Sequence, residues 1–231
     1  MFSKEDLLKA YLSCRKNKRN TINALKFEMN FESIILELFE ELKNRTYNPG
    51  RSICFVVTYP KLREVFAADF RDRVIHHLLV SHLEPHFEKR FINASFACRK
   101  NKGLLTATTC LKRSIRSITR NYTQKAFYGQ FDVRSFFTSI NRSILKQIIT
   151  KEIMDHFLNH KKDNLIWLTH VILDHNPIDN FYFKGDPALL KQIPPHKTLF
   201  KAGRNKGLPI GNLTSQFSAN VYLNELDQYV K

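Results

Sequence analysis

Residues 128–140 read Tyr128-Gly129-Gln130-Phe131-Asp132-Val133-Arg134-Ser135-Phe136-Phe137-Thr138-Ser139-Ile140, with one carboxylate among apolar and aromatic side chains. Between Lys89 and Thr150 the chain carries thirteen Lys or Arg residues, and Asp132 is the one acid among them. A lone acid on a predicted strand (126–133), inside so basic a region, is typical of a metal-holding carboxylate that faces a polyanion. An Asp that caps the following turn is the ordinary alternative. This stretch alone favours neither interpretation.

The composition indicates a folded protein with a polyanionic partner. The 231 residues are 43% hydrophobic and 12% aromatic, which is typical of a chain with a substantial core. The net charge of +16 points first to nucleic acid and second to an anionic membrane surface. No apolar run reaches the roughly 18 residues that cross a bilayer, and the N-terminus lacks the apolar segment of a secretion signal. We therefore expect a cytoplasmic protein that does not enter a membrane.

The cysteines and histidines do not form a known metal motif. The four cysteines include no C-x-x-C pair, which indicates free thiols. The nine histidines are scattered, and the adjacent pair His76-His77 would point to different faces of a helix. We therefore expect this pair to serve packing or a polar network.

Helical spacing of apolar residues recurs along the chain. It predicts helices that begin after Ser3, cover 31–42, 69–91, 104–120 and 165–173, and follow Asn212 as an N-cap. Residues 135–149 are predicted to begin as a turn and become helix. Between the second and third of these helices, 52–58 and 63–68 read as a β-hairpin with Lys61 and Arg63 at its tip. Cations at such a tip can reach a triphosphate, although an ordinary solvated turn has the same composition.

A basic region follows the long third helix. Residues 96–98 read as a short strand that enters a basic loop ending at Gly103. In the next helix Lys112, Arg116 and Arg120 recur at every fourth position, which would place three cations on one face. Such a ridge suits a nucleic-acid backbone, and it is equally common as a solvated face.

Two loops complete the second half. Residues 174–195 are rich in turn signals and predict an insertion with a small hairpin. Residues 207–211 form a glycine loop that enters a helix, and the free backbone N–H groups of a helix N-terminus favour phosphates.

Four blocks of the sequence, in this order, resemble those of the reverse transcriptases of bacterial retroelements over nearly the whole chain. The blocks are Lys61, Arg63 and Arg71-Asp72-Arg73; Phe96-Ala97-Cys98-Arg99-Lys100 with Gly103; Phe131-Asp132-Val133-Arg134-Ser135-Phe136-Phe137; and Gly207-Leu208-Pro209-Ile210-Gly211-Asn212-Leu213-Thr214-Ser215-Gln216. Each block alone has modest specificity, so the resemblance rests on their order and spacing.

The last block departs from most reverse transcriptases, which have Gln between the Pro and the Gly and end the block with Ser-Pro. Ile210 and Ser215-Gln216 stand at these positions here. This variant is similar to the diversity-generating retroelement branch, whose enzymes copy a template RNA with errors at adenines. A second departure is that no Tyr-x-Asp-Asp block follows within the 231 residues. We therefore expect a truncated enzyme that is inactive alone.

The resemblance implies an α+β fold made of reverse-transcriptase fingers and the first part of the palm, with no thumb. Fingers over 1–124 would be mostly helical with the basic β-hairpin. A partial palm would cover 125–231, with 173–203 as a loop or insertion. Because the palm sheet would lack strands, we expect an exposed apolar face.

The resemblance also implies an RNA-directed DNA polymerase, a nucleotidyltransferase that uses two Mg²⁺ ions, or Mn²⁺. Asp132 would be the catalytic residue and would hold the metals together with the backbone carbonyl of Val133. Phe137 would be the gate that excludes a ribose 2′-hydroxyl. The nucleotide-binding residues would be Lys61, Arg63, Phe137, Ile210, Gly211 and Gln216. The nucleic-acid-binding residues would be Arg73, Arg99, Lys100, Lys102, Lys112, Arg116 and Arg120.

The implied partners are an RNA template, a DNA or RNA primer, a dNTP and a basic accessory protein of the retroelement. Two alternatives stay open. A non-catalytic RNA-binding module would use the basic fingers without chemistry. A group II intron maturase fragment is less favoured, because Ile210 and Gln216 do not match that branch.

Overall fold

A computed structural model describes residues 2–16, 18 and 20–231. The α-helices are α1 (Lys4–Arg15), α2 (Ile22–Met29), α3 (Phe31–Asn44), α4 (Phe70–Arg90), α5 (Leu104–Ile118), α6 (Phe136–Ser139), α7 (Arg142–His156), α8 (Asn159–Asp174), α9 (Pro187–Lys191) and α10 (Leu213–Val230). The strands are β1 (Ser52–Val57), β2 (Arg63–Ala67) and β3 (Phe181–Phe183). Two 3₁₀ turns cover Pro195–Lys197 and Leu199–Lys201. The fold is thus α+β and mostly helical, as expected at this coarse level.

The N-terminal helices begin where side chains cap them. Ser3 and Asp6 form a reciprocal capping box at the start of α1. The carboxylate of Asp69 accepts a hydrogen bond from the backbone N–H of Arg71 and opens α4. The helix predicted after Ser3 is confirmed as α1, and those predicted at 31–42 and 69–91 are confirmed as α3 and α4.

The hairpin is confirmed, and it gains an unexpected third strand. β1 pairs antiparallel with β2, and β3 pairs parallel with β1 on its other side. The prediction of a separate small hairpin within 174–195 is therefore wrong. A parallel partner distant in sequence leaves no turn signal, because the pairing is set by packing rather than by a local loop.

A large hydrophobic cluster joins α1, α2, α3, α4, α7, α8 and α10. A smaller cluster of Cys54, Phe66 and Leu199 lies on the hairpin, with Phe181 and Phe200 packed against it. The carboxylate of Glu64, on β2, is buried and accepts hydrogen bonds from the Thr198 hydroxyl and the Leu199 backbone N–H. These contacts hold the 3₁₀ turns on the sheet.

Two predicted strands are wrong. Residues 96–98 and 126–133 are described by the structure and belong to neither helix nor strand. The side chains of Phe127, Tyr128 and Phe131 are 104%, 73% and 95% exposed. A strand needs a hydrogen-bonded neighbour, and within the described part of the chain the single sheet is β2-β1-β3. The apolar alternation at 126–133 therefore has no partner there.

Helix α5 also lies in the open. It contains no buried residue, although it is strongly amphipathic. Leu104, Leu111 and Ile118 are exposed on it. Tyr122, Phe127, Tyr128 and Phe131 in the following segment are exposed as well. An apolar face on an incomplete palm sheet stays a prediction. Among the described helices, none combines the length and apolarity that would let it cross a bilayer.

Candidate nucleotide site and nucleic-acid interface

The glycine loop 207–212 connects two segments that are far apart in sequence. At its start, the backbone N–H of Gly207 donates to the carbonyl of Ile140 (2.9 Å), and that of Leu208 donates to the carbonyl of Phe137 (2.8 Å). At its end, the backbone N–H of Phe66 on β2 donates to the carbonyl of Ile210 (2.8 Å). The loop therefore brings the segment of Phe137 and the hairpin strand of Arg63 into one assembly.

The side chain of Asn212 also joins the loop to the end of β2. Its Oδ1 accepts a hydrogen bond from the backbone N–H of Ala68 (3.0 Å), and its Nδ2 donates to the carbonyl of Phe66 (3.1 Å). Asn212 is the N-cap residue of α10, as predicted, although its side chain makes no cap hydrogen bond with the helix. The amide is buried, and a buried amide takes the partners that satisfy both of its ends.

Gly211 is required at its position for two reasons. Its φ angle is +120°, a conformation that side chains rarely adopt. A Cβ there would lie 2.6 Å from Cγ1 of Val65 and 3.2 Å from the carbonyl oxygen of Phe66. The loop backbone thus packs directly on β2, with no space for a side chain.

We expect Gly211→Ala to destabilise the chain by about 2 kcal/mol more than Gly185→Ala does. Gly185 has a similar φ of +110°, but a Cβ added there would meet nothing within 4 Å, so it is the matched control for backbone strain. The excess cost comes from the clash with Val65. Urea unfolding of both variants measures it, and equal losses would show that the loop does not pack closely on β2.

Phe137 and its neighbour Phe136 are both partly buried and pack against the large cluster. Their rings are 5.6 Å apart in an edge-on arrangement. Phe136 and Phe137 therefore share a contact with the core. The part of Phe137 as a sugar gate stays a prediction.

The cations of the hairpin tip are available for a ligand. Lys61 lies in the turn, and Arg63 opens β2 opposite Val57. Neither side chain forms an ion pair with any residue that the structure describes. Ile210 is half-buried, and Gln216 is exposed on the first turn of α10. These residues thus lie on the hairpin, in the glycine loop and at the start of α10.

Asp132 and Val133 are exposed in the open segment that precedes α6. A carboxylate and a carbonyl oxygen are hard donors of the kind that Mg²⁺ prefers. They fit a two-metal site in kind but not in number, because no cluster of three potential ligands among the described residues includes Asp132.

The residues predicted to bind nucleic acid fall into two groups. Arg99 is held inside the protein by Glu88 and by the carbonyls of Ile92 and Ser95. Nε of Arg73 donates to the carbonyl of Ala68, and Nζ of Lys102 contacts Asn93. We assign Arg99 a structural role, which the sequence did not suggest because its partner Glu88 lies on another element. The exposed group is Lys100, Lys112, Arg116 and Arg120.

The ridge on α5 is shorter than predicted. Lys112 and Arg116 lie on the helix, which ends at Ile118. Arg120 follows it in a left-handed turn with φ of 47°, so its place on the same face is not set by the helix. All three cations are exposed.

A basic groove of about 290 Å³ was missed by the sequence analysis. Arg134, Lys201 and Lys206 line it, between the start of α6 and the 3₁₀ turns. Arg134 comes two residues after Asp132. The only signal in the sequence was the density of cations at 197–206, which is too general to predict a groove.

A buried polar cluster lies beneath the glycine loop. The carboxylate of Asp72 accepts hydrogen bonds from the Tyr47 hydroxyl and the Gly50 backbone N–H, both at 2.8 Å. Burial raises the pKa of Asp72. Nδ1 of His76 and Nε of Arg142 are buried there and have no hydrogen-bond partner among the residues that the structure describes. They line a cavity of about 30 Å³, large enough for one water molecule.

Sequence comparison identifies distant relatives. Protein YkfC of Escherichia coli (strain K12) is 24% identical over 196 residues, which are 84% of this chain and 44% of that protein. Group II intron-encoded protein LtrA of Lactococcus lactis subsp. cremoris is 24% identical over 202 residues, 86% of this chain and 28% of LtrA. An uncharacterized 91 kDa protein in the cob intron of Schizosaccharomyces pombe is 23% identical over 200 residues, 86% of this chain and 21% of its own.

The chain spans less than half the length of each of these curated relatives. No protein-family model matches the chain. The comparisons therefore show a distant relationship to intron-encoded proteins.

Proposed function

We propose that this chain forms the fingers (1–124) and the first part of the palm (125–231) of an RNA-directed DNA polymerase from a mobile genetic element. Three findings support the proposal. The four sequence blocks occur in the order of that family, the fold is α+β and mostly helical, and the chain is similar to a group II intron-encoded protein over 86% of its length. That similarity supports a reverse-transcriptase-related function.

The observation that carries the proposal is the glycine loop. It is hydrogen-bonded to the Phe137 segment and to the end of the hairpin. The bond between Ala68 and Asn212 joins residues that are 144 positions apart in the sequence. In the proposed site Lys61 and Arg63 bind the triphosphate of a dNTP, Phe137 lies against its sugar, and Ile210 with Gly211 forms the floor under the base pair. Gln216 and the exposed cations of α5 contact the template.

Mg²⁺ would be held by Asp132 and the Val133 carbonyl, and it would supply charge neutralisation at the transferred phosphate. A two-metal site needs further carboxylates. The described residues do not place a cluster of such ligands around Asp132. The part of this chain is then to bind and orient the nucleotide and the template. We propose that the 231-residue chain alone does not extend a primer.

Two observations favour different subclasses of reverse transcriptase. Ile210 and Gln216 match the diversity-generating branch, which would make the copying mutagenic and add a basic accessory protein as a partner. The relatives include a group II intron-encoded protein, which favours the intron branch. A pair of variable repeats beside the gene would support the first assignment, and intron RNA structure around it would support the second.

Reading the gene beyond codon 231 separates a polymerase from a non-catalytic RNA-binding module. We expect an in-frame Tyr-x-Asp-Asp block, which would supply the missing carboxylates. A stop codon without such a block, together with tight RNA binding by the chain, would favour the binding module.

We expect the double variant Lys61→Ala, Arg63→Ala to weaken dNTP binding by about 30-fold, because each cation contributes a charge-assisted contact to phosphate. Photo-crosslinking of a radiolabelled dNTP to the chain, as a function of dNTP concentration, measures the change. Lys184→Ala is the matched control, since Lys184 is an exposed cation at the end of neighbouring β3. Equal crosslinking by the double variant and the control would contradict the assignment of the hairpin tip.

A further inference from the structure

Three side chains on two helices, none of them a residue of the proposed nucleotide site, lie close together. His86 lies near the end of α4, and Glu152 and His156 lie one turn apart at the end of α7. Nε2 of His86 is 2.9 Å from Oε2 of Glu152, and Nδ1 of His156 is 3.5 Å from the same oxygen. One ligand atom from each residue lies within 4.8 Å of the other two. Two imidazole nitrogens therefore lie close to Oε2 of Glu152.

The two distances to Oε2 of Glu152 are close to those between neighbouring ligand atoms around a metal ion. In a tetrahedral zinc site with bonds of about 2.0–2.2 Å, neighbouring ligand atoms lie roughly 3.4 Å apart. The two separations at Glu152 bracket that value. Two histidines and one carboxylate are a common donor set for zinc with an open fourth position. Nitrogen donors also disfavour Mg²⁺, which prefers oxygen.

The surroundings of the cluster allow an ion to enter and to be held. The side chain of Glu152 is 11% exposed, that of His86 is 20% exposed and that of His156 is 43% exposed. The His86 ring packs beside Phe87 and Phe157, which fixes its orientation. The more exposed His156 leaves the fourth position open to water.

Arg90 also contacts Glu152, as it would in an ion-pair network that holds no metal. Its guanidinium lies 3.1 Å from Oε1 of Glu152, whereas both histidines approach Oε2. A metal at Oε2 can therefore coexist with Arg90, which would then orient the carboxylate as an outer partner. Nδ1 of His156 also lies 3.3 Å from the carbonyl of Glu152, a contact that metal binding would replace.

We propose that His86, Glu152 and His156 bind a divalent transition-metal ion, Zn²⁺ first, with water as the fourth ligand. The ion would tie the end of α7 directly to the end of α4. Helix α7 otherwise packs mainly on α8 and α10, so the ion adds a link that the hydrophobic contacts supply only weakly. This site does not depend on the proposed polymerase function.

The test starts from the metal-free 231-residue chain. Zn²⁺ should bind with one-to-one stoichiometry in calorimetry and raise the Tm. Co²⁺ in its place should give the visible absorption of a tetrahedral nitrogen and oxygen site. His156→Ala should lower the Zn²⁺ affinity by at least about 100-fold and abolish the Co²⁺ spectrum. Because His156 is the most exposed ligand, this variant keeps the fold, which circular dichroism of the metal-free chain checks.

His196→Ala is the matched control, since His196 is exposed and lies outside the cluster. It should bind Zn²⁺ as the wild type does. Excess Mg²⁺ should leave the Co²⁺ spectrum unchanged. Absence of Zn²⁺ binding by the wild type, or equal Zn²⁺ affinity in His156→Ala, would overturn the proposal.

Discussion

Charge reversal of the α5 ridge, by Lys112→Glu, Arg116→Glu and Arg120→Glu together, is expected to weaken RNA binding on the order of 500-fold at low salt. Each phosphate contact that is lost removes about 0.7 from the slope of log affinity against log salt for a single strand. Three lost contacts should therefore lower the slope by about two. The cations are exposed and α5 has no buried residue, so the fold should be unaffected. Fluorescence anisotropy with a labelled single-stranded RNA across a salt series measures both quantities.

The control keeps the change in net charge and moves it elsewhere. Lys9, Lys26 and Lys151 are exposed on α1, α2 and α7. Their reversal to Glu changes the total charge by the same amount. If RNA binding is local to α5, the control keeps most of the affinity and the salt slope. Equal losses in the two triple variants would show that the net charge of +16 acts as a whole and that α5 is not the interface.

Acidification from about pH 6.5 to about pH 4 is expected to lower the free energy of unfolding by about 3 kcal/mol through His76 alone. Burial, with added repulsion from His175, His77 and Arg73, lowers the pKa of His76 to about 3. In the unfolded chain its pKa is near 6.5. Between these values the unfolded state binds a proton that the native state does not, so stability falls as the pH falls.

Other buried groups modify this profile, each with its own sign. Burial also lowers the pKa of His77, to about 4, and the pKa of His175 is lowered for the same reason. Both therefore add to the loss in acid. Burial raises the pKa of Glu64 and of Asp72, so their protonation favours the native state and offsets part of the loss at the acid end of the range.

Urea unfolding at several pH values, with wild type and His76→Gln, isolates the histidine. The variant should be less stable at neutral pH. The slope of its free energy of unfolding against pH should correspond to about one fewer proton bound on unfolding over this range. The slope, rather than the absolute stability, is the readout. His196→Gln is the control, because His196 is exposed. An unchanged slope in His76→Gln would contradict a neutral, buried His76.

Local patterns in the sequence predicted the elements whose stabilising contacts are themselves local. The capping residues Ser3 and Asp69 marked the starts of α1 and α4, and the hairpin formed within one or two residues of its predicted bounds. The four cysteines are free, as their spacing indicated. The glycine loop was also recognised, because Gly211 has a backbone conformation that few other residues adopt.

The misses share one physical cause, which is a partner distant in sequence. The alternation at 126–133 predicts a strand, but a strand forms only where another backbone completes its hydrogen bonds. Nothing in the segment of Arg99 shows that Glu88 will hold its guanidinium, and its contact with nucleic acid stays a prediction. Asn212 holds the predicted N-cap position, but burial directed its amide to the end of β2 rather than to the helix.

The sequence by itself determined the helical periodicity, the basic hairpin, the order of the four blocks and the net charge of +16, since these depend on residue types and on near neighbours. Only the tertiary structure decided which cations remain exposed, how the glycine loop joins Phe137 to β2, and that His86 meets Glu152 and His156. Those arrangements depend on burial and on hydrogen bonds across many residues, which no short stretch of sequence specifies. Asp132, the residue at which the sequence first suggested chemistry, lies exposed two residues before Arg134, which lines the basic groove. It is exposed because the strand predicted around it has no neighbour among the described residues.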